Sequence, residues 1–194
     1  MIDTKNIIIK NAYQFVSELN EPIKINPDKY CDNRDVFFGR LDKFRIILEK
    51  NVDNINISSL LTAVVGEIGN NSYDHNLGNW RDIPGIYFNY DFENKIIVLA
   101  DRGQGIKKTI QKVIPQIADD LKAINVAFTQ TISGRAPEKR GNGLKFVSKI
   151  MQENRWGLMF HSGKAKVIID KPDYKLVFEN SDENIEGTIA AICF

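Results

Sequence analysis

Glu67-Ile68-Gly69-Asn70-Asn71-Ser72-Tyr73-Asp74-His75 is the stretch on which the reading of the fold turns. It continues an apolar run, Leu60-Leu61-Thr62-Ala63-Val64-Val65. Together they predict one helix, apolar early and polar late, stopping near Asn76-Leu77-Gly78. Ser58 or Ser59 is the expected cap. Offsets of four, seven and eight from Glu67 set Asn71, Asp74 and His75 on the same side of that helix. Taken alone, such a polar face is more often solvated than functional. The flank of Leu60, Leu61, Val64 and Ile68 argues for a buried helix instead, and a buried acid and amide one turn apart need partners. Magnesium with phosphate oxygens would supply them. Asn offers a neutral oxygen ligand, and Glu can orient or deprotonate a nucleophile.

The second stretch is Asp101-Arg102-Gly103-Gln104-Gly105, directly after Ile96-Ile97-Val98-Leu99-Ala100. A carboxylate at the end of a buried strand can accept from an exocyclic amine, which adenine carries at its six-position and guanine does not. An ordinary tight turn with a surface Asp fits this stretch equally well. The third is Arg140-Gly141-Asn142-Gly143-Leu144, opening a helix. Amides at a glycine-rich helix start cradle phosphate, although two glycines in a flexible loop read the same way. Neither a Walker lysine motif nor G-x-G-x-x-G is present.

Outward from these stretches the chain orders itself simply. Residues 6–19 predict a short amphipathic helix, 21–33 a loop, and 35–51 a second helix with Phe37, Phe38, Leu41, Phe44, Ile47 and Leu48 in its apolar stripe. Residues 85–91 and 95–100 predict a hairpin. Helical material over 106–127 is interrupted by Pro115, 128–139 reads as a loop, and 141–154 as a helix. The remainder predicts three strand regions: 157–161, then 165–169 with 174–178, and 188–194. The class expected is α/β, a two-layer sandwich of a mixed, largely antiparallel sheet with helices on one face. Residues 1–33 are expected to be an N-terminal helical extension and 34–194 the main domain; whether the first helix packs on that domain or swaps into a dimer is open.

With 194 residues, 43% hydrophobic and 26% charged, the chain is long enough to bury a core and has a globular composition. A net charge of +1 gives no general reason to expect nucleic acid or an anionic membrane. No run reaches the length of a spanning helix, and the N-terminus carries no signal-peptide core. Cys31 and Cys193 have no metal-ligand spacing and fit two free thiols. The expected location is cytoplasmic.

The order and spacing of the three stretches resemble the GHKL superfamily of ATPases. That superfamily includes gyrase, the large heat-shock chaperone, bacterial histidine kinases, a mismatch-repair protein and anti-sigma-factor serine kinases. Its first motif corresponds to Glu67, Asn71 and His75, its Asp-x-Gly-x-Gly box to Asp101, Gly103 and Gly105 followed by Ile106, and its second glycine box to Gly141, Gly143 and Leu144. Gly187-Thr188 matches a late Gly-Thr before the last strand. The resemblance runs from about residue 34 to 194 and implies a histidine-kinase-like ATPase fold. It implies Asn71 as magnesium ligand on ATP and Glu67 as general base. Asp101 would bind the adenine amine with Thr188 beside it, and Gly103 and Gly105 would shape the pocket wall. Asp74, His75, Ile106 and Leu144 would complete the nucleotide site. Gly141, Asn142 and Gly143 would bring amides to phosphate, and residues 128–140 would form a lid from which Arg135, Lys139 or Arg140 reaches the phosphates. Lys139 replaces an earlier glycine of the second box, and Ser72 stands where Ala is common.

Among the branches, histidine kinases use an upstream phosphoacceptor histidine, whereas His75 and His161 lie in the first motif and in a late strand. Gyrase, the chaperone and the mismatch-repair proteins use long transducer domains. The expected relative is therefore the anti-sigma-factor serine kinase, a stand-alone domain. The resemblance then implies a magnesium–ATP-binding regulatory protein, an ATPase or a serine/threonine kinase acting on a small protein partner. The alternative is a non-catalytic module whose lid orders on nucleotide. A homodimer is left open.

Overall fold

The computed structural model describes residues 5–17, 26–51, 55–131 and 143–194. The chain forms an α/β sandwich on a five-stranded sheet. The elements are α1 (Ile7–Ser17), a 3-10 turn (Pro27–Lys29), β1 (Tyr30–Cys31), α2 (Arg34–Asn51), α3 (Ile55–Asn76), β2 (Ile86–Asp91), β3 (Ile96–Asp101), α4 (Gly105–Gln111), α5 (Asp120–Thr129), α6 (Gly143–Glu153), β4 (Gly157–Ile169) and β5 (Leu176–Cys193). The strand order is β1-β2-β3-β5-β4, and each neighbouring pair is antiparallel.

Side-chain alternation along the strands divides two cores. Ile86, Phe88, Ile97, Leu99, Ala190 and Ile192 face a helical layer to which α2 brings Phe37, Phe44 and Leu48, α3 Leu61, Val64 and Ile68, α5 Phe128, and α6 Val147 and Met151. The alternate residues Tyr87, Ile96, Val98, Ala100, Ile189 and Ala191 face the other way and are covered by Ile8, Ile9, Ala12, Phe15 and Val16 of α1. Burial on both faces explains why β3 reads as an unbroken apolar run. In this single-chain structure α1 covers the back of the sheet. β1, which also precedes residue 34, pairs with β2.

Three local expectations are revised. Helix α3 starts at Ile55, so Ser58 lies inside it, buried, with its carbonyl accepting from Thr62 Oγ1 at 2.7 Å. Ile57, packed against the helical core, extends the helix past the expected cap. Phe128 belongs to α5 and the core, edge-on to Phe160, and not to a loop. The late strand regions fuse into two long strands, because irregularities between Ser162 and Ala165 absorb the register change without breaking the ladder. At that bend Gly163 adopts φ +61°, and the Asp120 carboxylate sits where a Cβ would go, accepting from Lys164 N at 3.1 Å.

Candidate functional site

Helix α3 places Glu67, Asn71, Asp74 and His75 along one side, and all four line a single cavity of about 710 Å³. Its other walls come from the end of β3 (Asp101), α4 (Gly105, Ile106), the start of α6 (Gly143, Leu144) and β5 (Thr188). Its volume is in the range of small-ligand sites. Stretches far apart in sequence therefore meet in one place. Gly103 does not line the cavity; it is buried behind Asn76. Arg140, Gly141, Asn142, Arg135 and Lys139 lie outside the described residues.

The geometry around Asp101 follows from strand register. In the antiparallel β3–β5 pair Asp101 stands opposite Thr188. Gly187 lets the strands come this close: its φ is +103°, and a Cβ there would lie 2.0 Å from the Asp101 carbonyl oxygen. Thr188 Oγ1 then donates to Asp101 Oδ2, as does Ser72 Oγ at 2.8 Å. Oδ1 accepts from Gly103 N at 2.8 Å and from Asn76 Nδ2 at 3.2 Å. Asp101 is buried, and burial raises its pKa above the usual carboxylate value against the lowering effect of these four donors.

Asn76 ties α3 to the glycine turn. Its Oδ1 accepts from Gln104 N at 3.0 Å, and Gln104 Nε2 donates to the His75 carbonyl at 2.6 Å. The space a side chain at Gly103 would need is filled by the Asn76 amide, 2.0 Å from an ideal Cβ. On the other flank Ser162 Oγ accepts from Ile106 N at 3.0 Å and donates to the Gly187 carbonyl at 2.9 Å, anchoring α4 to β4 and β5.

At the opposite end of the cavity Gly143 abuts the two leading polar groups of α3. A Cβ at Gly143 would lie 2.7 Å from Glu67 Oε2 and 3.2 Å from Asn71 Nδ2. The amino-terminal end of α6, with its partial positive charge, thus faces an acid and an amide at close range. Among the described residues no group of three or more His, Cys, Asp or Glu is arranged to hold a metal ion. The donor set fits magnesium all the same, since that ion keeps waters and phosphate oxygens and takes only one or two protein oxygens. Asn71 would hold it through its side-chain oxygen, leaving the neighbouring Glu67 carboxylate free. Asp74 is paired with Arg34 of α2 at 2.5 Å, and Arg34 also lies over the Tyr73 ring. His75 is exposed at the rim.

No protein-family model and no curated protein matches the chain. The functional reading therefore rests on the residues and where they meet. Sequence reasoning passed over Ser72, Asn76, Gln104, Ser162 and Arg34. Ser72 was visible only as a departure from a motif. The others hold the site together through contacts between elements, for which no local pattern exists. No described helix is long and apolar enough to cross a membrane.

Proposed function

We propose that the chain binds magnesium–ATP and acts as a regulatory ATPase or serine/threonine protein kinase on a small protein partner. The observation that carries this reading is the single cavity in which Glu67, Asn71, Asp101, Gly143 and Thr188 converge. Asp101 at its buried end is an acceptor suited to an exocyclic amine. Glu67, Asn71 and the start of α6 at the other end suit a polyphosphate. A bound magnesium ion would offset phosphate charge. Asn71 would orient the ion through its side-chain oxygen. Glu67 would take the proton of the attacking hydroxyl, from water in hydrolysis or from a serine or threonine in transfer. Catalysis would then be mostly positioning and electrostatics.

Calorimetry with ATP, ADP and GTP, with and without magnesium, tests the site. ATP and ADP are expected to bind and GTP not, with magnesium tightening ATP and Asn71→Ala removing that tightening. Absence of adenine-nucleotide binding by the wild-type protein would sink the reading. Turnover separates enzyme from module: Glu67→Gln is expected to retain ATP and lose at least tenfold in phosphate release or partner labelling. A turnover indifferent to Glu67→Gln would instead favour a nucleotide-dependent interaction module.

A further inference from the structure

The Asp101 carboxylate has about four lone-pair positions, and four protein donors already reach it. Two are fixed. Gly103 N is backbone, and the Asn76 amide is oriented by Gln104 N on its oxygen side. Oδ1 is committed to these two. Oδ2 accepts from two hydroxyls, those of Ser72 and Thr188, and both residues line the cavity. An exocyclic amine can reach Asp101 only by taking over one of the four positions.

The hydroxyls are the donors that can yield, because each turns about a single bond. Ser72 has a second acceptor within reach on its own helix: the Ile68 carbonyl, 3.5 Å from Oγ. Turning its proton to Ile68 frees a position on Oδ2 without burying an unpaired hydroxyl. We infer that Ser72 competes with the base amine for Asp101, and so sets both the affinity of the cavity for amine-bearing bases and its discrimination against bases without the amine. This rests on the nucleotide reading and adds to it a residue that tunes base selection. Ser72 is a binding-site residue in this account and takes no part in the chemistry of transfer.

The test is Ser72→Ala, with ATP and ITP as probes. The two nucleotides differ at the six-position: ITP carries a carbonyl there in place of the amine. Removing the competing donor is expected to tighten ATP by about fivefold, the size of one net hydrogen bond, and to leave ITP unchanged. The ATP-to-ITP affinity ratio therefore rises by about the same factor. Ser72→Cys, whose thiol is a weak donor, is expected to shift the ratio in the same direction and serves if the alanine variant does not fold. A ratio that stays level or falls while both proteins bind ATP overturns the competition and leaves the nucleotide reading standing. Failure of wild type and variants alike to bind either nucleotide overturns both.

Discussion

Replacing Asp101 separates what the buried carboxylate does for the fold from what it does for a ligand. Two variants make the comparison. In Asp101→Ala the four donors lose their acceptor. The Ser72 hydroxyl can turn to the Ile68 carbonyl, and a hydroxyl at Thr188 is free to rotate. Gly103 N and the Asn76 amide cannot, since one is backbone and the other is held by Gln104. Each fixed donor left unpaired in a buried place costs about 1 to 3 kcal/mol, so the variant is expected to lose roughly 2 to 6 kcal/mol. Asp101→Asn behaves differently. The new carboxamide can keep its oxygen toward Gly103 N and Asn76 and turn its nitrogen toward Ser72 and Thr188, whose hydroxyls then accept. A charge that burial disfavours is also gone. Its stability is expected to stay within about 1 kcal/mol of wild type. Urea unfolding with linear extrapolation measures both changes. The same asparagine variant should lose at least tenfold in affinity for adenine nucleotide, because an amide nitrogen now faces the base amine. Equal destabilisation by the two variants would refute the donor accounting at Asp101, and with it the argument about Ser72.

Two further predictions concern the back of the sheet. His161 is buried, with Nδ1 3.1 Å from the Tyr13 hydroxyl and Nε2 3.1 Å from the Gly163 carbonyl, and burial, aided by Lys166, pushes its pKa down from 6.5 to about 4. Below pH 6.5 the unfolded chain takes up the proton that the folded one refuses, so stability is lost as pH falls from 6.5 toward 4, by roughly 2 kcal/mol at pH 5; urea unfolding at pH 7 and pH 5 should show that extra loss in wild type and not in His161→Gln. Arg102 is buried, its guanidinium gripping both oxygens of Asp82 and donating to the Phe15 carbonyl near the end of α1. Arg102→Ala is expected to cost about 2 to 4 kcal/mol and to speed hydrogen exchange in α1 more than in α5; equal exchange in the two helices would remove Arg102 as the tie between that helix and the glycine turn.

Much of the architecture was legible from residues 34–194 read locally. The hairpin of β2 and β3, the break at Pro115, the helix after Gly143 and the α2 stripe of Phe37, Leu41, Phe44 and Leu48 all follow from periodicity and turn chemistry, which act over a few residues; Phe38, expected in that stripe, is instead exposed at the cavity, one position round the helix from the buried face. The polar line from Glu67 to His75 was legible for the same reason: helix geometry alone aligns those offsets. What periodicity could not reach was the fate of elements whose partners are distant. The start of α3 moved to Ile55 because Ile57 found the core. The final strands fused because a bend at Gly163 could be met by Asp120 from another helix.

The sequence by itself determined which side chains could do chemistry and roughly which faces of which elements carry them, because backbone geometry translates spacing into direction. Only the tertiary structure decided that α1 covers the second face of the sheet, that Asp101 stands opposite Thr188, and that Ser72 and Asn76 fill the carboxylate's remaining positions. Strand register and buried hydrogen-bond pairing are relations between segments. They are selected by the packing of the whole, which a local pattern does not contain.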